Sequence, residues 1–271
     1  MLRDITIGQH FPGNSLVHRF DPRMKIVLTI VYIILLFAAS NPLGLALSLL
    51  FLVGMYGVAK IPFKLIVKSL KPILPIVVFT AVLNLFFVSG EGEPLVRVWV
   101  LTIYAEGVKY AILMAVRVMA LIAGTSLLTY TTSPIVLTDA IEQLLKPLGK
   151  LHFPVHELAM MMSIALRFIP TLIEETDKIM NAQKARGAML DNGKMTERVK
   201  ALVPVLIPLF ISAFRRADEL AMAMECRGYR GGEGRTRLKV LRCDRQDYID
   251  LAVCLVCFAV ILSSRLVFPN F

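Results

Sequence analysis

The sequence predicts an all-α fold, a polytopic membrane protein with about five transmembrane helices and a cytoplasmic domain of long amphipathic helices. Three observations carry that prediction. Hydrophobic residues make up 56% of the chain and the mean hydropathy is +0.68, the composition of an integral membrane protein. The formal charge of +10 sits in Lys and Arg blocks that flank apolar runs. No interleaving of aromatic and basic residues offers a base-stacking surface, so the charge reads as membrane topology and not as nucleic-acid binding. Finally, two long segments between about Pro154 and Arg237 share a layout: an apolar half with an Ile-Pro step, a charged half, then a small residue, Arg and Gly.

In chain order, the leader from Ile7 to Ser15 is punctuated by Gly8, Pro12, Gly13 and Asn14 and reads as a loop. His10 and His18 are too isolated for a metal site and read as hydrogen-bonded loop histidines. The first apolar run begins near Ile26 behind this polar leader, so no secretory signal is read there. Asp21 and Pro22 make a good helix start, an N-cap acceptor followed by a ring that presets the first helical φ. The first span runs from Ile26 to about Ser40 and, after the tight Asn41-Pro42 turn, the second runs from Leu43 to Ala59. The connection that follows carries Lys60, Lys64, Lys68 and Lys71 and no acid, which places it in the cytoplasm. A third span runs from about Ile73 to Val88, and its outer loop sets Glu91 and Glu93 against Arg97, with Trp99 and Tyr104 suited to the external interface. The fourth runs from about Gly107 to Tyr130. Arg117 lies near its middle, where a bare charge would cost at least ~2.5 kcal/mol, so it must face protein, either as a structural partner or in a functional role.

After Tyr130 the chain is expected to stay in the cytoplasm until about Asp247. Ser133-Pro134 opens a short helix, Ile135 to Leu148, with Ile141, Leu144, Leu145 and Leu148 on one face. Two later apolar runs, Leu158–Ile173 and Val199–Phe214, are about sixteen residues each, short of the ~20 that cross a bilayer. Arg167 interrupts the first; Lys200, Pro204 and Pro208 interrupt the second. Both are expected to lie at the cytoplasmic interface. A last span, about Tyr248 to Val267, puts the C-terminus outside. The expected organisation is a leader with four spans over 1–130, a cytoplasmic helical domain over 131–245, and a final span over 246–271.

Within the first long segment, Leu158, Met162, Ala165, Ile169, Leu172, Thr176 and Ile179 recur at steps of four and three, one face of a helix. Arg167, Thr171, Glu174, Lys178 and Asn181 follow the same alternation on the opposite face. Gly187 suits the position just past a helix end, where a left-handed φ is needed, and Arg186 then sits at the negative end of the helix dipole. One Arg-Gly end is accounted for as a cap. Its recurrence at Arg227-Gly228, after a second comparable helix, points to a paired contact.

Little in the chain performs chemistry. A phosphate-binding loop needs G-x-x-x-x-G-K-[ST]; the nearest match, Gly187 to Gly193-Lys194-Met195, has one residue too many and Met where the Mg²⁺-binding hydroxyl belongs. Gly231-Gly232-Glu233-Gly234 follows no strand and precedes no helix, so it reads as a flexible turn. Cys254 and Cys257 share one face of an apolar helix with no further ligand nearby and read as packing residues. Glu106 and Lys109 lie at a span end, where solvation explains them. No catalytic triad, paired intramembrane carboxylates or His/Cys cluster emerges, and the spans lack the acids of an ion-coupled carrier. The expectation is a protein with no catalytic residues, no metal and no cofactor. The rival classes are a self-contained secondary carrier and a membrane-embedded enzyme.

A family resemblance gathers these features. The leader, with Gly8-Gln9, Pro12-Gly13-Asn14-Ser15 and His18-Arg19-Phe20-Asp21-Pro22-Arg23-Met24-Lys25, resembles that of the transmembrane (T) component of energy-coupling factor transporters. So do His156-Glu157-Leu158-Ala159-Met160-Met161-Met162, Ala165-Leu166-Arg167-Phe168-Ile169-Pro170, and the two tripeptides Ala185-Arg186-Gly187 and Cys226-Arg227-Gly228. The likeness covers nearly the full chain. Cys226 departs from the usual Ala but is small enough to pack similarly. The resemblance implies a non-catalytic scaffold in the cell membrane that joins two ABC ATPase subunits to a substrate-capture (S) membrane protein. ATP would be bound by the partners, the N-terminus and coupling helices would be cytoplasmic, and the cargo would be a vitamin or other micronutrient. It further implies that the two tripeptides dock in ATPase grooves and that the long helices transmit the ATP-driven movement. On this reading Leu158, Met161, Met162, Ala165 and Ile169 meet the capture subunit, Met being adaptable at surfaces that accept several partners. The segment from His156 to Gly187 resembles T components shared among vitamin-capture subunits more than dedicated cobalt or nickel ones.

Overall fold

The computed structural model describes residues 10–39, 41–87, 96–98, 101–151, 153–188, 195–231 and 243–267; Ile7, Gly8 and Gln9 of the leader, the loop acids Glu91 and Glu93, and most of the 230–245 loop lie outside them. The chain forms two units, one spanning Gly8–Leu137 with Leu241–Phe271 and the other built mainly from Thr138–Val240.

The first unit begins with a four-residue turn of helix, α1 (Leu16–Arg19), capped by Ser15. His18 lies in this turn and not in a loop, and both of its ring nitrogens are engaged: Nδ1 is 2.7 Å from the Ser15 hydroxyl and Nε2 is 3.0 Å from the Phe11 carbonyl. Burial lowers the imidazole pKa, with the Phe11 contact pulling the other way. Helix α2 (Pro22–Ala38) starts as its sequence predicts, the Asp21 carboxylate accepting the Arg23 N–H at 2.8 Å with Pro22 at the first position. Helix α3 (Pro42–Ala59) follows the Asn41 turn.

The lysine-rich connection is helix and not loop. Lys64 and Lys68 sit in α4 (Phe63–Leu70), which runs through a 3₁₀ turn at Lys71–Ile73 into α5 (Leu74–Phe87). Lys64, Lys68 and Lys71 are spaced four and three apart, so one helical face takes them into solvent while Leu65 and Ile66 pack against the core. A short antiparallel hairpin not expected from the sequence comes next, β1 (Val96–Val98) with β2 (Leu101–Ile103), Val96 opposite Ile103. Its signal was present in the alternating, β-branched run Val96-Arg97-Val98 to Thr102-Ile103. Helix α6 (Ala105–Thr131) then runs for 27 residues, and α10 (Arg245–Val267) completes the unit.

The second unit holds α7 (Pro134–Leu145, its first residues shared with the first unit), a 3₁₀ segment at Lys146–Leu151, and two long helices, α8 (Val155–Ala185) and α9 (Met195–Cys226). Among the described residues, five helical stretches are long and apolar enough to cross a membrane: Pro42–Ala59, Phe63–Phe87, Ala105–Thr131, Val155–Ala185 and Arg245–Ser263. Two of these facts depart from the sequence reading. Helix α2 has 17 residues, about 26 Å of helix against a ~30 Å hydrocarbon core. Helix α8 qualifies by length and composition because the sixteen-residue apolar run continues unbroken into its charged half, past Pro170, to 31 residues.

The core of the first unit is a cluster in which small residues of α6 let α2 approach. Ala120 and Ala123 are buried, and a Cβ on Gly124 would lie 2.5 Å from Cε1 of Tyr32. The Tyr56 hydroxyl donates to the Ala123 carbonyl at 2.7 Å and that of Tyr130 to the Leu65 carbonyl at 3.0 Å. Arg117 has a structural partner: its Nη2 donates to the Ala39 carbonyl at 2.8 Å, placing the cation at the C-cap of α2, where the helix dipole is negative. Arg117→Met is therefore expected to lower the thermal stability of the detergent-solubilised protein, by about 1.5–3 kcal/mol for a lost charged hydrogen bond. An unchanged melting temperature would show that the contact contributes nothing.

A polar knot ties the leader motif to the start of α10. The Asp21 carboxylate accepts from Arg23 Nη2 at 2.7 Å and from the Cys243 thiol at 3.1 Å, while its backbone N–H donates to Asp247 Oδ1 at 3.1 Å. Burial pushes the Asp21 pKa up, but the hydrogen bonds from Arg23 and Cys243 outweigh it and hold the carboxyl below its usual range. The Cys243 thiol, donating to that carboxylate, is pushed up in turn. Lys25 is buried, with Nζ within reach of the His18 and Thr131 carbonyls and the Thr132 hydroxyl at 3.1, 3.2 and 3.3 Å, one acceptor for each of its three protons. Each charged residue from Asp21 to Lys25 thus has a packing reason. Among the described residues no group of three or more His, Cys, Asp or Glu side chains could hold a metal ion.

Candidate functional site

The two Arg-Gly ends fold identically. At the end of α8 the Gly187 N–H donates to the Lys184 carbonyl at 3.0 Å and the Ala188 N–H reaches back to the Gln183 carbonyl at 3.0 Å. At the end of α9 the Gly228 N–H donates to Glu225 at 2.9 Å and the Tyr229 N–H to Met224 at 3.0 Å. Both are Schellman caps, and both need a left-handed residue, supplied by Gly187 at φ +87° and Gly228 at φ +71°. The caps are closed entirely by backbone, so the arginines are not needed to make them. Ala185, Arg186, Gly187, Cys226, Arg227 and Gly228 are all exposed, and among the described residues neither guanidinium has an ion-pair partner. Two exposed cations are thereby fixed at the tips of two long helices.

Helices α8 and α9 pack against each other as an antiparallel pair. Glu175 of α8 accepts from the Ser212 hydroxyl at 2.7 Å and from Arg216 Nη2 at 2.8 Å; eight residues further along α8, Gln183 Nε2 donates to the Pro204 carbonyl at 3.1 Å. Residue numbers rise on one helix as they fall on the other, so the Arg186 and Arg227 tips point in opposite directions. The Gln183 bond has a specific cause. Pro208 has no N–H to offer the carbonyl four residues back, which is that of Pro204, and the Gln183 amide takes the vacant place. The Glu175–Arg216 pair is open to water, which screens it, so it adds little to stability. Sequence reading had Glu174 on the polar face of α8 but did not find the Glu175–Arg216 pair, because nothing local shows which face of α9 it meets.

Of the residues read as a capture face, Met161, Met162, Ala165 and Ile169 are exposed and Leu158 is half-buried. The start of α8 is held by His156, whose Nδ1 is 3.1 Å from Glu142 of α7. A second apolar surface lies on α9, where Ile207, Phe210, Ile211 and Phe214 are all more than half exposed. These residues belong to the apolar run Val199–Phe214, whose apolar side is expected to face membrane or partner.

A family model described as "Cobalt transport protein" matches residues 13–238, which includes both helix tips and the leader residues Asp21 to Lys25. The chain is 53% identical over 266 residues to the energy-coupling factor transporter transmembrane protein EcfT of Clostridium kluyveri, covering 98% of each chain. It is 54% identical over 269 residues to that of Ruminiclostridium cellulolyticum, covering 99% of this chain and all of the other. It belongs to the energy-coupling factor transmembrane component family. The EcfT of Bacillus subtilis, 48% identical over 262 residues, covers 97% of this chain and 98% of its own. As an energy-coupling factor transmembrane component, the chain is a multi-pass membrane protein of a transporter complex, and the expected family and all-α membrane class hold.

Proposed function

We propose that this chain is the scaffold that links two ABC ATPase subunits to a substrate-capture subunit in the cell membrane and passes ATP-driven movement between them. The observation that carries this reading is the pair of matched caps, each presenting an exposed arginine, Arg186 and Arg227, at the tip of a helix longer than 30 residues. Two like tips suit two like subunits, one carboxylate-lined groove for each. The chain is non-catalytic on this reading; ATP belongs to the partners and vitamins or other micronutrients are the cargo. Affinity purification in mild detergent tests it directly: two ATPases and a small membrane protein should accompany the chain. Recovery of the chain alone would remove the basis for the proposal.

In the membrane, the N-terminus and the α8–α9 pair are cytoplasmic. The Lys64, Lys68 and Lys71 face at the start of the Phe63–Phe87 span supports this orientation. A Cys placed at position 92 should then react with an impermeant thiol reagent added outside, and one at position 192 should not. The opposite labelling pattern would invert the topology. The capture subunit covers the exposed apolar side of the pair. Replacing Met161 and Met162 by Asp should release it before the ATPases, whereas simultaneous loss of all partners would mean misfolding.

A further inference from the structure

The internal repeat and the crossing geometry coincide at one contact. Arg227 follows Arg186 by 41 positions, and the same offset carries Glu174 and Glu175 of α8 onto Arg215 and Arg216 of α9. Equivalent positions of the two helices therefore hold opposite charges, and Glu175 and Arg216 are bonded to each other at 2.8 Å. When equivalent positions of an antiparallel pair touch, the contact sits at the midpoint of the pair. The arms from this contact to the two arginines are each eleven residues, about 16 Å of helix at ~1.5 Å per residue. They extend in opposite directions, as the Gln183–Pro204 bond requires.

We propose that the Glu175–Arg216–Ser212 clasp is the fulcrum of the α8–α9 pair, a set of positioning residues that converts movement at one docked tip into equal and opposite movement at the other. Three features support the role. Arms of equal length about a fixed point give both tips the same mechanical advantage, which matches two equivalent ATPases. Opposite charges on α8 and α9 hold the contact in register. Ser212 fixes the carboxylate that Arg216 engages, so the contact is a three-group clasp and not a single ion pair. The inference rests on the coupling function proposed above.

The test uses the complete complex with its ATPases and reads spin-label distances with and without trapped ATP. One label pair reports the tips, at Ala188 and Tyr229; a second reports the crossing, at Glu174 and Arg215. In the otherwise unchanged chain, ATP should shorten the tip distance and leave the crossing distance unchanged. Glu175→Arg alone and Arg216→Glu alone should keep both ATPases bound but weaken the ATP-driven shift in tip populations, roughly 2- to 30-fold for a mutation along a coupling network. The exchange of the two, Glu175→Arg with Arg216→Glu, should restore it. Should a reversal fail to assemble, Glu175→Gln removes the charge while keeping an acceptor for Ser212, and it should show the same loss. An unaltered tip response in these single variants, failure of the exchange to restore it, or a crossing distance that changes as much as the tips would overturn the fulcrum. Absence of ATPases from the unaltered complex would instead overturn the coupling function itself.

Discussion

Arg186→Glu combined with Arg227→Glu is expected to abolish copurification of the ATPases while the chain still inserts in the membrane. The arginines do not make the helix caps. Both caps are closed by backbone bonds around Gly187 and Gly228, so the helix ends survive the substitution. A carboxylate at the negative end of a helix dipole costs only ~0.3–1 kcal/mol. At a docking contact the effect is much larger. Removing one partner of a buried charge pair costs ~2–5 kcal/mol, or at least about 30-fold in affinity at each tip, and reversal adds repulsion. Blue-native electrophoresis and pull-down of the solubilised complex would measure it. Retention of both ATPases by the double variant would reduce the arginines to dispensable decoration of two helix caps. Gly187→Val serves as the complementary control, since it strains the cap and leaves the arginine in place.

The second large effect is expected at Gly124. A Val there should lower the unfolding temperature and the folded yield, because its Cβ falls 2.5 Å from Cε1 and 2.9 Å from Cδ1 of Tyr32. Tyr32 is 4% exposed, and its centroid is 6.3 Å from that of Phe51 and 6.4 Å from that of Phe258. Overpacking of this kind costs ~1–3 kcal/mol. Thermal unfolding followed by a thiol-reactive dye at buried Cys254 reads it, and adding Tyr32→Leu should recover most of the loss by opening space for the new side chain. A Gly124→Val protein as stable as the original would mean that α2 and α6 do not pack through this residue.

Much of the architecture was legible because the bilayer enforces it. A helix is the only element of this composition that satisfies its backbone inside hydrocarbon, so α3, α6 and α10 follow from apolar runs alone. Local chemistry was equally readable where it acts within a few residues: Asp21 caps α2 with Pro22 behind it, and Gly187 and Gly228 take the left-handed conformation their positions predict. Element boundaries read from hydropathy did less well. Lys64 and Lys68 lie in helix α4 because charge on one face of a helix is solvated as well as charge in a loop. Helix α8 runs to its Gly187 stop as its periodicity predicts, but the apolar run Leu158–Ile173, taken alone, hid that the whole helix is long and apolar enough to span. The hairpin at Val96–Val98 and Leu101–Ile103 has strands of three residues each, too short for alternation to stand out beside the loop charges.

The sequence by itself determined the membrane class, the family, the paired Arg-Gly tips and the capping of the main helices, all of which depend on composition or on residues within one turn of each other. Only the tertiary structure decided what Arg117 binds, why Asp21 to Lys25 form a motif, and how α8 meets α9. Ala39 lies 78 residues from Arg117, Cys243 lies 222 from Asp21, and Arg216 lies 41 from Glu175. Partners so distant are chosen by helix packing, and packing depends on which faces meet, which no periodicity within a single helix specifies.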